Sequence, residues 1–377
     1  MKNVNYKIVV VIGSIFLAGM ISISVIAGTR KELKGSIAGV QADISACDYN
    51  ESEEEIANLN TEISELEAQL AQVQKDLAEA EANNDALGIL RAKTVIESCT
   101  RELEQKRKAL LESTLQHDNS LYYVENREAL VTSEQEQAAY QSYRNELQMR
   151  LCDEKMSYLS ALSQKLKKKI EIEREKVKRG YEIQLSVDEI ITEYDNVQIQ
   201  IEDTRTEQEF QKVSMTKNGG ETGIMLEEQL GELGADYVSG FLNHSVQLKY
   251  YDSQIAAYTN YINGSGGEGT EKISKQLELA ELNRQEYQEE LELYVKGMMR
   301  NYEKLRNHVK ELENEKTLMK KKADHQKTLL QRGRALEIEV NELETEQLRL
   351  EYERKSSIAD AMAIRYILEH YVEGQAL

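Results

Sequence analysis

The sequence predicts an all-α fold of long antiparallel coiled-coil hairpins in two tandem repeats, preceded by an N-terminal membrane helix. Three observations carry that prediction. The 377 residues contain no proline. Proline removes a helical hydrogen bond and clashes with the preceding turn, so its absence over this length fits uninterrupted helices and not the loops and strand ends of an α/β enzyme. Apolar residues recur at three- and four-residue spacing along most of the chain. A shift of 153 residues lays one such stretch upon another.

Composition narrows the function. Lys and Arg number 47 against 67 Asp and Glu, a formal net charge of -20. Such a chain repels phosphate, which argues against nucleic-acid binding. Charge alone would also fit disorder, but the periodic apolar residues set that aside. Cys47, Cys99 and Cys152 are odd in number, far apart and without CxxC spacing, so neither a disulfide frame nor a zinc site is implied. His117, His244, His308, His325 and His370 are scattered. No nucleophile constellation, phosphate loop or ligand cluster stands out, and no enzymatic activity, cofactor or metal is expected.

The elements follow in chain order. Residues 1–30 hold Ile8 to Ala27, about 20 residues without a charge, the length that crosses a bilayer. Lys2 and Lys7 precede it, and Arg30, Lys31 and Lys34 follow. Two readings stay open: an uncleaved anchor holding the chain to the membrane through residues 8–27, or a signal peptide cut after Ala27. Both place the bulk of the chain outside the cytoplasm, at the membrane or in the cell envelope. Residues 31–82 read as a stalk helix, with Ile56, Leu59, Ile63, Leu66, Leu70, Val73 and Leu77 in heptad order. It is expected to extend the first helix away from the membrane and to help copies associate.

Residues 83–217 form the first hairpin repeat and 224–377 the second. Glycine-rich breaks at 218–223 and 263–269, and softer ones near 83–88 and 116–120, punctuate the periodic stretches. The first seam reads Met149, Cys152, Met156, Leu159, Leu166, Ile170 and Val177 outward, then Val187, Ile190, Tyr194, Val197 and Ile201 back. The second reads Tyr302, Leu305, Val309, Leu312, Met319, Ala323 and Leu330 outward, then Leu336, Val340, Leu343, Leu350, Ala361, Ile364 and Leu368. Turns this short fold each pair of helices back as an antiparallel hairpin.

The 153-residue shift carries Arg179 onto Arg332, Gly180 onto Gly333, Val187 onto Val340, and the Lys167–Lys169 run onto Lys320–Lys322. Since 153 is not a multiple of seven, coincident heptads do not explain the match. The last helix carries a second apolar stripe of Ile338, Leu348, Tyr352, Ala359 and Ala363. Two stripes call for a neighbour on each side, as in a sheet or tube of helices; a plain bundle is the alternative.

This arrangement resembles the TolC family of outer-membrane efflux ducts, which are tandem repeats of long helices with hairpin tips of the pattern G-x-x-S-x-x-D-V-L. The glycine, and the valine seven positions on, match in both tips: Gly180 with Val187, and Gly333 with Val340. The acid before the valine is Glu339 in the second tip but Ser186 in the first, with Asp188 after the valine. The tyrosine three before the glycine is absent, Val177 and Leu330 standing there. The resemblance covers about 300 residues. It implies docking of a periplasmic-adaptor-like protein through Arg179, Gly180, Tyr181, Leu185, Ser186 and Asp188 of one tip and Arg332, Gly333, Arg334, Leu336, Glu339 and Asn341 of the other. It also implies a homotrimer, and acids at Glu339 and Glu342 where the family constricts its duct.

One departure matters. The family inserts a β-hairpin in each repeat, and three chains pool these into a membrane barrel. Here the corresponding places, near 116–120 and 263–269, hold no strands of the ten or so alternating residues that a barrel needs. The sequence therefore looks like a barrel-less relative. Two functions compete: a membrane-anchored helical conduit or docking component of an efflux or secretion system, and a structural coiled-coil scaffold or spacer of the cell envelope. The repeat and the tips favour the first, the missing barrel the second.

Overall fold

The computed structural model describes residues 37–217, 223–226, 229–234, 236–265 and 270–373. The apolar segment 8–27 lies outside the described residues. Among those described, no helix is long and apolar enough to cross a membrane, and eight helices and no strand are found. These are α1 (Ile37–Ala82), α2 (Ala86–Glu125), α3 (Arg127–Lys178), α4 (Gln184–Lys217), α5 (Tyr237–His244), α6 (Val246–Gly264), α7 (Glu271–Gln331) and α8 (Glu337–His370).

The two repeats share one register. The shift of 153 carries the bounds of α4 onto those of α8, residue for residue, and the end of α3 onto the end of α7. In the first hairpin Leu159, Leu166 and Ile170 of α3 are buried against Val187, Ile190 and Val197 of α4, with Val177, Tyr194 and Ile201 partly buried beside them. In the second, Tyr302, Val309, Leu312 and Ala323 of α7 and Val340, Leu350, Ala361, Ile364 and Leu368 of α8 are buried. Helix α7, with 61 residues, is about 90 Å long.

Helix α8 has two neighbours, α7 and α3. Of the second stripe, Ala359 is buried and Ala363 packs beside it against Leu147 and Leu151 of α3; the Tyr366 ring stacks on Tyr143 at 4.5 Å. The four long helices therefore lie side by side in the order α4, α3, α8, α7. Residues 223–226 and 229–234 cross this layer as a strap. Ile224, Leu226 and Leu230 pack on it, Tyr302 donates its hydroxyl to the Gly231 carbonyl at 3.0 Å, and the Ile224 amide donates to the fully buried Glu146 carboxylate at 2.8 Å.

Two expectations are corrected at the other end. The stalk does not extend onward; α1 folds back along α2. Asn84 takes a left-handed φ of 55° and the Asp85 carboxylate caps the amides of Leu87 and Gly88, both at 3.1 Å, which reverses the chain within three residues. Leu59, Ile63 and Leu66 of α1 and Ala92, Cys99 and Leu103 of α2 are then buried, and Lys106 and Arg107 pair with Glu62 and Glu67 at 2.6 and 2.8 Å. The expected break at 116–120 is helix; the interruption falls at Asn126. There, helical bonds continue on both sides, from the Asn126 amide to Tyr122 and from the Leu130 amide to Asn126, so α3 carries on from α2. Asn and Ser in 116–120 are tolerated because Ser120 is buried and Asp118 accepts a hydrogen bond from Asn260 at 3.0 Å. Near 263–269 the chain turns from α6 into α7 without a strand among the described residues.

Candidate docking tips and open helix flanks

Both predicted tips lie at one end of the layer. Lys168 of α3 reaches Glu337 at the start of α8 with an ion pair of 2.7 Å, and that bond holds the Glu337 carboxyl below the usual range. Each tip closes in the same way. Gly180 has φ +75° and Gly333 φ +69°. The Gly180 amide donates to Val177 and the Tyr181 amide to Lys176; the Gly333 amide donates to Leu330 and the Arg334 amide to Leu329. This paired pattern is a Schellman motif, and the left-handed residue it requires is the reason for a glycine. Both glycines are therefore helix terminators. They also leave the turn open, because a Cβ built on either meets no atom within 4 Å.

The other expected tip residues fall into two groups. Arg179, Tyr181, Leu185, Arg332, Arg334 and Leu336 are exposed, Tyr181 at 76% and Leu336 at 66%. Ile183, inside the same tip, joins them at 64%. The rest are engaged locally. Ser186 donates to Glu182 at 3.0 Å, Asp188 accepts from Gln184 at 2.8 Å, and the Asn341 carbonyl accepts from Thr345 at 2.7 Å. Glu339 accepts from the Leu336 amide at 2.9 Å and from Gln326 at 2.8 Å, so it caps the start of α8. Glu342 is exposed one turn further on.

The layer has two free edges. The flank of α8 that packs on α3 comprises Tyr352, Ala359, Ala363 and Tyr366; the 153-residue shift maps these onto Ile199, Thr206, Phe210 and Val213 of α4. Ile199, Phe210 and Val213 are exposed, Phe210 at 70%. Conversely, Tyr140, Leu147 and Leu151 of α3 map onto Leu293, Arg300 and Lys304 of α7, and Leu293 is 70% exposed. The sequence reading found the stripe on α8 but not its copy on α4, although the same shift locates it.

No family model matches the chain, and no curated protein matches it in sequence. Solved structures do. One is CusC, described for its folding and transmembrane channel formation: 13% identity, 84% of this chain and 95% of that chain covered, TM-score 0.50. The outer-membrane channel OprN gives 14% identity, 69% and 71% coverage and 0.45. The CmeC outer membrane channel of Campylobacter jejuni gives 11%, 69% of each chain and 0.46. At 13% identity what is shared with CusC is the fold, and it is the all-α, TolC-like hairpin fold expected from the repeat and the tips.

Proposed function

We propose that this chain is a TolC-like conduit component of an efflux or secretion system, working in the cell envelope as a ring of copies, three by resemblance. One observation carries the reading: the free edges of the layer are copies of the joint at its centre. Within one chain, α8 seats on α3. The equivalent flank of α4 and the equivalent face of α7 are uncovered, and placing α4 of one copy on α7 of the next repeats the same joint. Val213 then falls opposite Leu293, as Tyr366 does opposite Tyr140. Where the central joint buries Leu147 and Leu151 against Ile358 and Met362, the shift places Arg300 and Lys304 on one side of the outer joint and Arg205 and Glu209 on the other. Arg300 and Glu209, opposite in charge, stand at the places of Leu147 and Met362, which supports copy-to-copy contact. Repetition of one heterologous joint gives a ring when its rotation closes, as the trimer implied by the resemblance requires.

On this reading the exposed ends at Arg179, Tyr181, Ile183, Arg332, Arg334 and Leu336 are the surface for an adaptor of the periplasmic kind. Residues 8–27 hold the ring to a membrane, and cargo passes along the tube. The test is the mass of the full chain in detergent by light scattering, compared with Phe210→Asp and with Arg300→Glu. A trimer that dissociates in either variant supports the reading. A wild-type monomer would refute the tube and leave the envelope scaffold.

A further inference from the structure

The flank of α2 that α6 covers runs on uncovered toward the α1–α2 turn. At the covered end the Tyr122 hydroxyl donates to the Val246 carbonyl at 2.6 Å, Asp118 accepts from Asn260 at 3.0 Å, and Leu111 lies against the end of α6 at Gly264. Steps of three and four residues back from Tyr122, Asp118 and Leu111 lead along one helix face to Thr94, Leu90 and Leu87. Leu90 is 65% exposed and Leu87 58%. Helix α6 ends at Gly264, while α2 continues for the 25 residues 86–110, about 38 Å, as an arm made with α1 alone.

We propose that α1 of a second copy takes the place of α6 on this arm, so that the α1–α2 hairpins of neighbouring copies join into a closed collar beyond the tube, opposite the tips. Charge selects that occupant. Residues 86–110 of α2 carry six cations against three acids, whereas residues 58–82 of α1 carry six acids against one lysine. Of those six cations Lys106 and Arg107 pair with α1 of their own chain and Arg91 lines a groove with its Asp76 and Glu79; Lys93 and Arg101 are exposed. Shape agrees. The turn at 83–85 sets Leu87 and Leu90 level with Ala82 and Ala78, and Ala68, Ala71, Ala78 and Ala82 lie exposed at heptad spacing on α1. Large apolar side chains on α2 and small ones on α1 are complementary across two helices at one level. Helix α1 of the same chain already packs along α2 over Ala92, Cys99 and Leu103, a different face from the one that carries Leu87 and Leu90.

The collar rests on the ring reading, and the experiment separates the two. Full-length protein is prepared in detergent as a mixture of light and isotope-labelled copies, with a photo-cross-linking residue placed at Leu90 or, separately, at Phe210. The collar predicts mixed-label cross-links from Leu90 to residues 68–82. It also predicts that a cross-linker at Thr94 loses yield by roughly tenfold when Leu87→Asp and Leu90→Asp are added, because two buried leucines are removed, while the Phe210 cross-links to α7 stay unchanged. Mixed-label links from Phe210 with none from Leu90 overturn the collar and leave the ring. Links from Leu90 to any segment other than α1 of another copy also overturn it. Loss of both sets overturns the ring together with the collar.

Discussion

Replacing the tip glycines by alanine isolates a purely conformational cost. Gly180 and Gly333 hold φ +75° and +69°, and a Cβ at either position meets nothing within 4 Å. No clash contributes, so the penalty of Gly180→Ala or Gly333→Ala is that of placing an L-residue in the left-handed region, about 1–2 kcal/mol each. The tips are separate turns without shared partners, so the double variant should lose about 2–4 kcal/mol. Gly297 supplies the opposite sign. It lies within α7, also with nothing within 4 Å of a built Cβ, and Gly297→Ala should gain about 0.5–1 kcal/mol from helix propensity. Urea unfolding followed by circular dichroism measures all three, as shifts in midpoint at constant slope. Amide exchange adds a local readout, because the Tyr181 amide bonds to Lys176 and the Arg334 amide to Leu329. Those two amides should exchange roughly five- to thirtyfold faster in the alanine variants. The reasoning is refuted if Gly333→Ala unfolds at or above the wild-type midpoint with unchanged exchange at Arg334 while Gly297→Ala stabilises.

Two further outcomes follow from the core. Burial of Glu351 alone would raise its carboxyl, but hydrogen bonds and charge from Arg354 at 3.0 Å and Lys316 at 2.7 Å outweigh it and hold it at about 2. A depressed carboxyl stabilises the fold above its ordinary range and loses that contribution as pH falls toward the folded value. Glu351→Gln should therefore cost about 2–3 kcal/mol near pH 7 and almost nothing near pH 2, read by unfolding midpoints across that window; equal losses at both ends would contradict the assignment. At Gly240 a Cβ would lie 2.3 Å from the Tyr371 ring, which itself sits at φ 51° and stacks on His244 with centroids 4.3 Å apart. Gly240→Ala should displace that ring, cost about 1–3 kcal/mol, and diminish the near-ultraviolet tyrosine signal, whereas Gly231→Ala, with open space around it, should leave the signal intact.

Much of the fold is legible in the chain because its signals are local and periodic. The heptad seams of α3, α4, α7 and α8, and the glycines that end α3 and α7, follow from 3.6-residue geometry and from the demand of a left-handed turn. The 153-residue register follows from simple comparison of the chain with itself. What the sequence left undecided is what depends on contact between distant segments. That Glu339 caps its own helix is a matter of rotamer and distance. That α1 reverses onto α2 turns on three residues, Asn83 to Asp85, whose effect on a helix of 46 residues no periodicity reveals. That α6 stops at Gly264 and leaves the outer face of α2 bare is visible only once both helices are placed side by side. A heptad pattern tells which face of a helix is buried, but not which helix buries it, because any apolar stripe of the same spacing satisfies the same seam. The tertiary structure decides that pairing, and with it which edges of the layer are left open for another copy.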